Sequence, residues 1–368
     1  MSFMDVVKQF ESFDFNSYFK SVSAADVLHS LNRDLLSPYD LLNLLSEPAL
    51  QFLEQMAQKS QKITRQYFGR TIGMYAPLYI SDYCSNHCTY CGFNCASDAK
   101  RLKLTIDQIK AEAQVISDMG IRHILVLTGE APEKTPMSYL IEAVEVLKTC
   151  FSSIGIEMFP MDEEDYRQLK DAGVDSLTVY QETYDQQIYK QVHLKGKKMD
   201  YQYRLLTPER GARAGFRSVN IGPLFGLGEP GSEAFMAGLH AKYLEQTFPD
   251  VEISLSLPRM TKAAGGIAPR HTLSDRRFVQ FILAWRLFMP RLGITVSTRE
   301  SARFRDKLLH LGVTRYSAGS KTDVGGYALK DAEATAQFEV TDTRTVDEVT
   351  QMIRENGFQP VFKDWEIF

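Results

Sequence analysis

Three cysteines within eight residues, in Cys84-Ser-Asn-His-Cys88-Thr-Tyr-Cys91, are the side chains of this sequence best placed to do chemistry. Thiolates suit soft metals and iron–sulfur clusters. Three sulfurs this close in sequence can close around one inorganic centre without distant help. A four-iron cluster held by three cysteines leaves one iron open, and an open iron can bind a small molecule and pass it an electron. A structural zinc site is the simplest competing reading, followed by buried cysteines that ligate nothing. Zinc usually takes four ligands, often as two separated pairs. No second pair exists: Cys150 stands alone, and only Cys95 and His87 lie near enough in sequence to add a fourth ligand. The spacing therefore favours an open-site [4Fe–4S] cluster. A closed cluster on Cys84, Cys88, Cys91 and Cys95, as in an electron-transfer protein, is the alternative from another class. A zinc-knotted barrel that binds a partner is a third.

The elements that position this loop can be read from the hydrophobic pattern. Residues 1–74 are expected to form a helical extension or cap, with apolar side chains at helical spacing in Ala24–Leu36, Tyr39–Leu45 and Pro48–Tyr67. From residue 75 the pattern changes to short apolar runs alternating with helix-like segments. Eight runs read as buried strands: Tyr75–Ile80, His123–Thr128, Ile154–Phe159, Ser176–Tyr180, Ser218–Ile221, Glu252–Leu257, Ile294–Thr298 and Val313–Ala318. Helices are expected between them, among them one after Thr105 with a Thr105/Gln108 capping box and one over Tyr201–Ala214. Strand then helix, eight times, predicts an α/β fold of the (βα)8 TIM-barrel type over residues 75–319, with an open doubly wound sheet as the competitor. Residues 320–368 are expected to form a short C-terminal extension packed on the barrel, with a helix from Thr345 to Asn356 and an aromatic end, Trp365 to Phe368, tucked against the body.

Composition bounds the partners and the compartment. The 368 residues are 44% hydrophobic and 24% charged, with a net charge of -4, so no general attraction to nucleic acid or anionic lipid is expected. No apolar run approaches the roughly 20 residues that span a bilayer, and a secretory leader is not expected. Five cysteines, three of them clustered, do not resemble a disulfide framework. A cytoplasmic location is expected.

In a barrel, chemistry gathers at the carboxyl ends of the strands. The cysteine loop follows the first expected strand, Thr128-Gly129-Glu130 closes the second, Gln181-Glu182 follows the fourth, Pro258-Arg259 follows the sixth and Ser297-Thr298-Arg299 closes the seventh. Polar residues at so many of these ends agree with one active-site mouth.

The Cys-x-x-x-Cys-x-aromatic-Cys loop with Thr-Gly-Glu resembles the radical S-adenosylmethionine (SAM) enzymes. The segments Ala76-Pro-Leu-Tyr-Ile-Ser, Val179-Tyr-Gln-Glu-Thr-Tyr, His193-Leu-Lys-Gly-Lys-Lys, Ser256-Leu-Pro-Arg, Ser297-Thr-Arg-Glu-Ser and Lys363-Asp-Trp are similar to the tyrosine-lyase family of bacterial thiamin synthesis. The resemblance implies that Cys84, Cys88 and Cys91 hold a [4Fe–4S] cluster whose open iron takes the amino and carboxylate groups of SAM. It implies that Gly129 and Glu130 meet the SAM amino group, Glu182 its ribose or amine, Arg204 its carboxylate, and the Tyr90 backbone its adenine. It also implies that Ser297 and Arg299, read as alternating on one side of the seventh strand, grip the tyrosine carboxylate, while the Tyr79 hydroxyl lies near the substrate amine. Arg259 is a weaker candidate for the pocket wall, and Cys95 and Cys150 are given no role.

The reaction implied is electron transfer to SAM, hydrogen abstraction from the amino group of L-tyrosine by a 5′-deoxyadenosyl radical, and cleavage of the Cα–Cβ bond to 2-iminoacetate and p-cresol. A thiazole synthase is the implied protein partner and a flavodoxin or ferredoxin the implied electron donor. Cysteine counts separate the relatives: the hydrogenase-maturation lyases and biotin synthases need a second cluster, and no cysteine follows Cys150. A tryptophan lyase with a similar carboxylate grip is the nearest rival.

Overall fold

Five helices open the chain: α1 (Phe3–Gln9), α2 (Phe15–Ser21), α3 (Ala24–Leu31), α4 (Pro38–Leu45) and α5 (Leu53–Phe68). Local chemistry sets several of their starts. Ser23 and Ser37 accept from the backbone N–H groups of Asp26 and Asp40, and those carboxylates accept from the cap N–H in return, which satisfies two otherwise orphaned donors per helix. Pro38 occupies the first turn of α4, where its missing donor costs nothing. The structure, a computed structural model, describes residues 2–261, 266–329 and 336–363.

The strand–helix alternation follows as β1 (Thr71–Ser81), α6 (Ile106–Asp118), β2 (His123–Thr128), α7 (Met137–Leu147), β3 (Ser153–Glu157), α8 (Glu163–Ala172), β4 (Ser176–Glu182), α9 (Gln186–Val192), α10 (Tyr201–Leu205), α11 (Thr207–Arg213), β5 (Ser218–Pro223), α12 (Pro230–Thr247), β6 (Glu252–Ser256), α13 (Asp275–Phe288), β7 (Gly293–Val296), α14 (Ala302–Leu308) and β8 (Arg315–Ser317). Among the described residues, β1 to β8 pair in parallel and close into a ring through β1–β2 and β1–β8. This is the expected (βα)8 barrel. Apolar residues of the strands, such as Ile124, Val126, Ile154, Ile156, Val219 and Ile221, are buried. The alternate positions face the interior, where Asn220 donates to Ser256 Oγ at 2.9 Å and accepts from Ser254 Oγ at 3.0 Å. The N-terminal helices cover one flank, with α4 and α5 packed on α13.

Several boundaries differ from the sequence expectation. β1 begins at Thr71, and its first residues pair with β9 (Gln359–Val361), a strand that follows α15 (Val346–Glu355) and has no counterpart in the pattern reading. The helix expected over Tyr201–Ala214 is broken at Leu206, because Pro208 has no N–H to donate four residues back and its ring would crowd the Arg204 carbonyl of a continuous helix. α9 was not foreseen; Asp185 nucleates it by accepting from the N–H groups of Gln187 and Ile188. β7 ends at Val296, so Ser297 and Arg299 stand in the following loop and the argument from strand alternation does not apply to them. The aromatic end from Trp365 to Phe368 lies outside the described residues.

Candidate active site

The cysteine loop leaves β1 and is clamped from two sides. On one side Gly129 N–H donates to Ser81 O at 3.0 Å and Ser85 N–H to Glu130 O at 2.8 Å. On the other side His87 and Thr89 donate to Lys195 O and Val192 O, and Leu194 N–H returns a bond to His87 O. Arg101 ties the distal end by donating to the carbonyls of Asp82, Phe93 and Asn94. Gly129 is required where it stands: a Cβ there would lie 2.3 Å from Tyr83 O and 3.0 Å from Cys84 Cβ. Glu130 supports the loop from behind, its carboxylate accepting from Asn86 Nδ2 at 2.5 Å, and the same Asn86 nitrogen lies 3.8 Å from Cys84 Sγ.

All five cysteines are free, with Cys88 buried and Cys84 and Cys91 half-buried. Burial pushes the Cys88 thiol up to about 12, so a thiolate there needs a cationic centre to hold it. Among the described residues, no three His, Cys, Asp or Glu side chains converge as ligands of a single metal ion. Three free sulfurs on one rigid loop, Cys91 opening into the cavity below, and a backbone too close at Gly129 for any side chain fit a thiolate-bound cluster.

That cavity lies at the carboxyl end of the barrel, with a volume of about 130 Å³. Tyr79, Tyr90, Cys91, Glu182, Ser297 and Arg299 all line it. Gly129, Glu130 and Arg204 do not, and stand behind its wall. Arg259 does not reach it either; its guanidinium pairs with Glu300 and Asp275 and stacks between Phe278 and Phe304, which locks the loops after β6 and β7 together.

Glu182 holds the centre of one wall. Among the described residues it is the non-glycine residue with a left-handed backbone, φ 72°, at a register break between β4 and β5, a conformation that costs about 1–3 kcal/mol and is found at functional positions. Its Oε1 accepts from Lys198 Nζ at 2.7 Å and from Arg204 at 3.3 Å, while Arg204 Nε donates to Tyr180 O at 2.7 Å. Burial opposes the ionisation of Glu182, but Lys198 and Arg204 outweigh it and hold the carboxyl below its usual range. Tyr90 closes the next part of the wall. His193 Nδ1 faces Tyr189 O at 2.8 Å and so carries the proton, leaving Nε2 to accept from the Tyr90 hydroxyl at 2.7 Å.

The opposite wall carries Arg299. Its guanidinium lies 3.3 Å from the Phe338 ring and donates to Thr261 Oγ1 at 3.4 Å. Burial lowers its affinity for the proton, and no described carboxylate forms an ion pair with it. Tyr79 donates from its hydroxyl to Gln337 Oε1 at 2.7 Å. Gln337 and Phe338 come from the C-terminal extension and were not foreseen, since nothing in their local sequence marks them. Lys198 and Glu157 were also missed. Lys198 lies in the quoted His193–Lys198 segment, and Glu157 ends β3, whereas the expected third strand ran on to Phe159 and placed Glu157 inside it.

The chain matches the family model of the Radical SAM superfamily over residues 78–236 and that of the Biotin and Thiamin Synthesis associated domain over residues 256–359. It is 40% identical to 2-iminoacetate synthase of Escherichia coli (strain K12) over 368 residues, covering 100% of this chain and 97% of that protein. The 2-iminoacetate synthase of Salmonella typhimurium (strain LT2) is 39% identical, with 99% and 97% covered. Among solved structures, the crystal structure of HydG, a maturase of the [FeFe]-hydrogenase, superposes with a TM-score of 0.88 at 29% identity, covering 98% of this chain and 80% of that one. Methylornithine synthase shares the fold, with a TM-score of 0.71 at 22% identity. No helix among the described residues is long and apolar enough to cross a membrane.

Proposed function

Because this chain belongs to the 2-iminoacetate synthase family of radical SAM enzymes, we propose the following division of labour among its residues in that family's reaction. The chain is a carbon–carbon lyase that cleaves the Cα–Cβ bond of L-tyrosine to 2-iminoacetate and p-cresol. Cys84, Cys88 and Cys91 hold a [4Fe–4S] cluster. When bound, the cluster and SAM supply the 5′-deoxyadenosyl radical that takes a hydrogen atom from the tyrosine amino group.

The protein's own contribution is to bind, orient and exclude water. Lys198 and Arg204, held by Glu182, put positive charge beside the SAM carboxylate, and Glu182 accepts from SAM donors. Gly129 and Glu130 keep the loop in register and would leave room for the SAM amino group, and the Tyr90 backbone would meet adenine. Arg299 takes the tyrosine carboxylate in a two-pronged hydrogen bond, with Ser297 beside it. Tyr79 orients the substrate amine, its hydroxyl already aimed by Gln337. The observation that carries this reading is one cavity opening onto both the three-cysteine loop and a half-buried arginine with no carboxylate in ion-pair contact among the described residues. 2-Iminoacetate hydrolyses readily, which favours direct handover to a thiazole synthase, and a flavodoxin or ferredoxin supplies the electron. A cytoplasmic location completes the proposal.

The test is anaerobic reconstitution with iron and sulfide, then incubation with SAM, a reductant and either tyrosine or tryptophan. p-Cresol and 5′-deoxyadenosine are expected with tyrosine. 5′-Deoxyadenosine formed only with tryptophan overturns the substrate assignment, and a chain that takes up no iron overturns the class.

A further inference from the structure

The charged groups of the cavity wall can be sorted by whether another protein group already satisfies them. Glu182 is occupied by Lys198 and Arg204. Glu300 is occupied by Arg259. Two charged residues remain without an ion-pair partner among the described residues: Arg299 and Glu157. Arg299 follows β7 and Glu157 ends β3. In a closed ring of eight strands, β3 and β7 are four strands apart, so the two groups face each other across the mouth of the barrel.

We propose that Glu157 is the residue that recognises the substrate's phenol, accepting the tyrosine O–H while Arg299 holds the carboxylate at the other end. This rests on the tyrosine-lyase reading above and adds its missing specificity contact.

Three observations support the assignment. First, Tyr79, which strand register places in the same layer as Glu157, donates its hydroxyl to Gln337 and not to Glu157. No described group donates a hydrogen bond to the Glu157 carboxyl, although buried polar groups normally find partners. Second, β-strand register puts Glu157 beside Leu127, and Leu127 beside Tyr79. The carboxyl thus sits at the layer where an amino acid entering from the cluster loop would end, with Leu125, Leu127 and Val296 as apolar wall for its ring. Third, burial, reinforced by the nearby Glu182 and only partly offset by the Arg299, Arg204 and Lys198 charges, pushes the Glu157 carboxyl up to about 7. A carboxyl left this uncomfortable by its own protein gains from a neutral hydroxyl donor. A site built to pair a substrate hydroxyl also rejects the analogue that lacks one, because the protein group is then buried and unpaired.

The test compares the wild type with Glu157→Gln and Glu157→Leu, each reconstituted anaerobically with its cluster. Equilibrium binding of tyrosine and of phenylalanine is measured by calorimetry, and p-cresol formation is measured separately. Iron content and thermal melting check that each variant is folded. Wild type is expected to prefer tyrosine. Glu157→Leu is expected to lose about 10- to 100-fold in tyrosine affinity, the size of one hydrogen bond to a charged group, and to hold phenylalanine as well as or better than wild type. Glu157→Gln should fall between, because its amide oxygen still accepts. If tyrosine and phenylalanine weaken together, Glu157 holds the amine and the proposal fails. If the tyrosine preference survives in Glu157→Leu, it also fails. Failure of the tyrosine-lyase reading would show differently, as a wild type that neither prefers tyrosine nor forms p-cresol.

Discussion

Replacing Arg299 should separate substrate affinity from stability. The guanidinium is half-buried, lies 3.3 Å from the Phe338 ring and has Thr261 Oγ1, at 3.4 Å, as its hydrogen-bond partner among the described residues. A half-buried cation with no carboxylate in ion-pair contact among the described residues is a net cost to the fold, which a bound substrate carboxylate would offset. Arg299→Ala removes both the cost and the grip. Hydrogen bonds to a charged group contribute about 1.5–3 kcal/mol net, so tyrosine affinity should fall by roughly 100-fold, at about 1.4 kcal/mol per decade. Arg299→Lys keeps the charge but loses the planar fork and the flat contact with Phe338, and should fall by roughly 10-fold. Arg299→Ala should not lower the melting temperature, because the relieved desolvation offsets the lost packing on Phe338. The assay is equilibrium tyrosine binding to the reconstituted protein, with iron content and thermal melting measured on the same samples. Tyrosine affinity within about twofold of wild type in Arg299→Ala, or loss of iron in that variant, would refute the reasoning.

Gly129→Ala should deplete the cluster rather than the fold. Its Cβ would overlap the Tyr83 carbonyl, 2.3 Å away, and the backbone of the cysteine loop must shift, a cost of about 1–3 kcal/mol or more; iron and sulfide per chain after reconstitution should drop while circular dichroism stays native. Glu182→Leu leaves Lys198 and Arg204 as buried cations with no carboxylate between them and should cost about 3–5 kcal/mol in denaturant unfolding; a loss under about 1 kcal/mol would mean the pair is not held by Glu182. Glu233, buried and bonded to Thr183 and Tyr184 N–H, has its carboxyl pushed by burial from the usual 4.5 to about 7. The folded chain therefore keeps a proton that the unfolded chain has released. Its stabilising contribution is complete below pH 4.5 and is lost as pH rises through about 7, roughly 3 kcal/mol in all. Melting temperature should fall across that range in wild type and fall less in Glu233→Gln.

The cysteine loop and the barrel were legible in the sequence because both are local. Three thiols in eight residues define a ligand set wherever the chain goes, and each strand–helix unit announces itself by its own periodicity and caps. Residues at the strand ends, such as Glu182 and Arg299, could be named because a barrel sends all its strand ends to one mouth. What tertiary structure alone decided is which of those residues face the cavity and which are spent elsewhere. Arg259 and Arg299 both follow barrel strands, yet Glu300 and Asp275 consume the first, while the second meets only Phe338 and Thr261. Glu157 faces Arg299 because ring closure puts β3 opposite β7, and Gln337 reaches Tyr79 across 258 positions of sequence. Ligand type and helical or strand period are properties of short segments, so they survive in a linear text. The partner of a buried charge is set by packing between distant segments, and no local pattern carries that information.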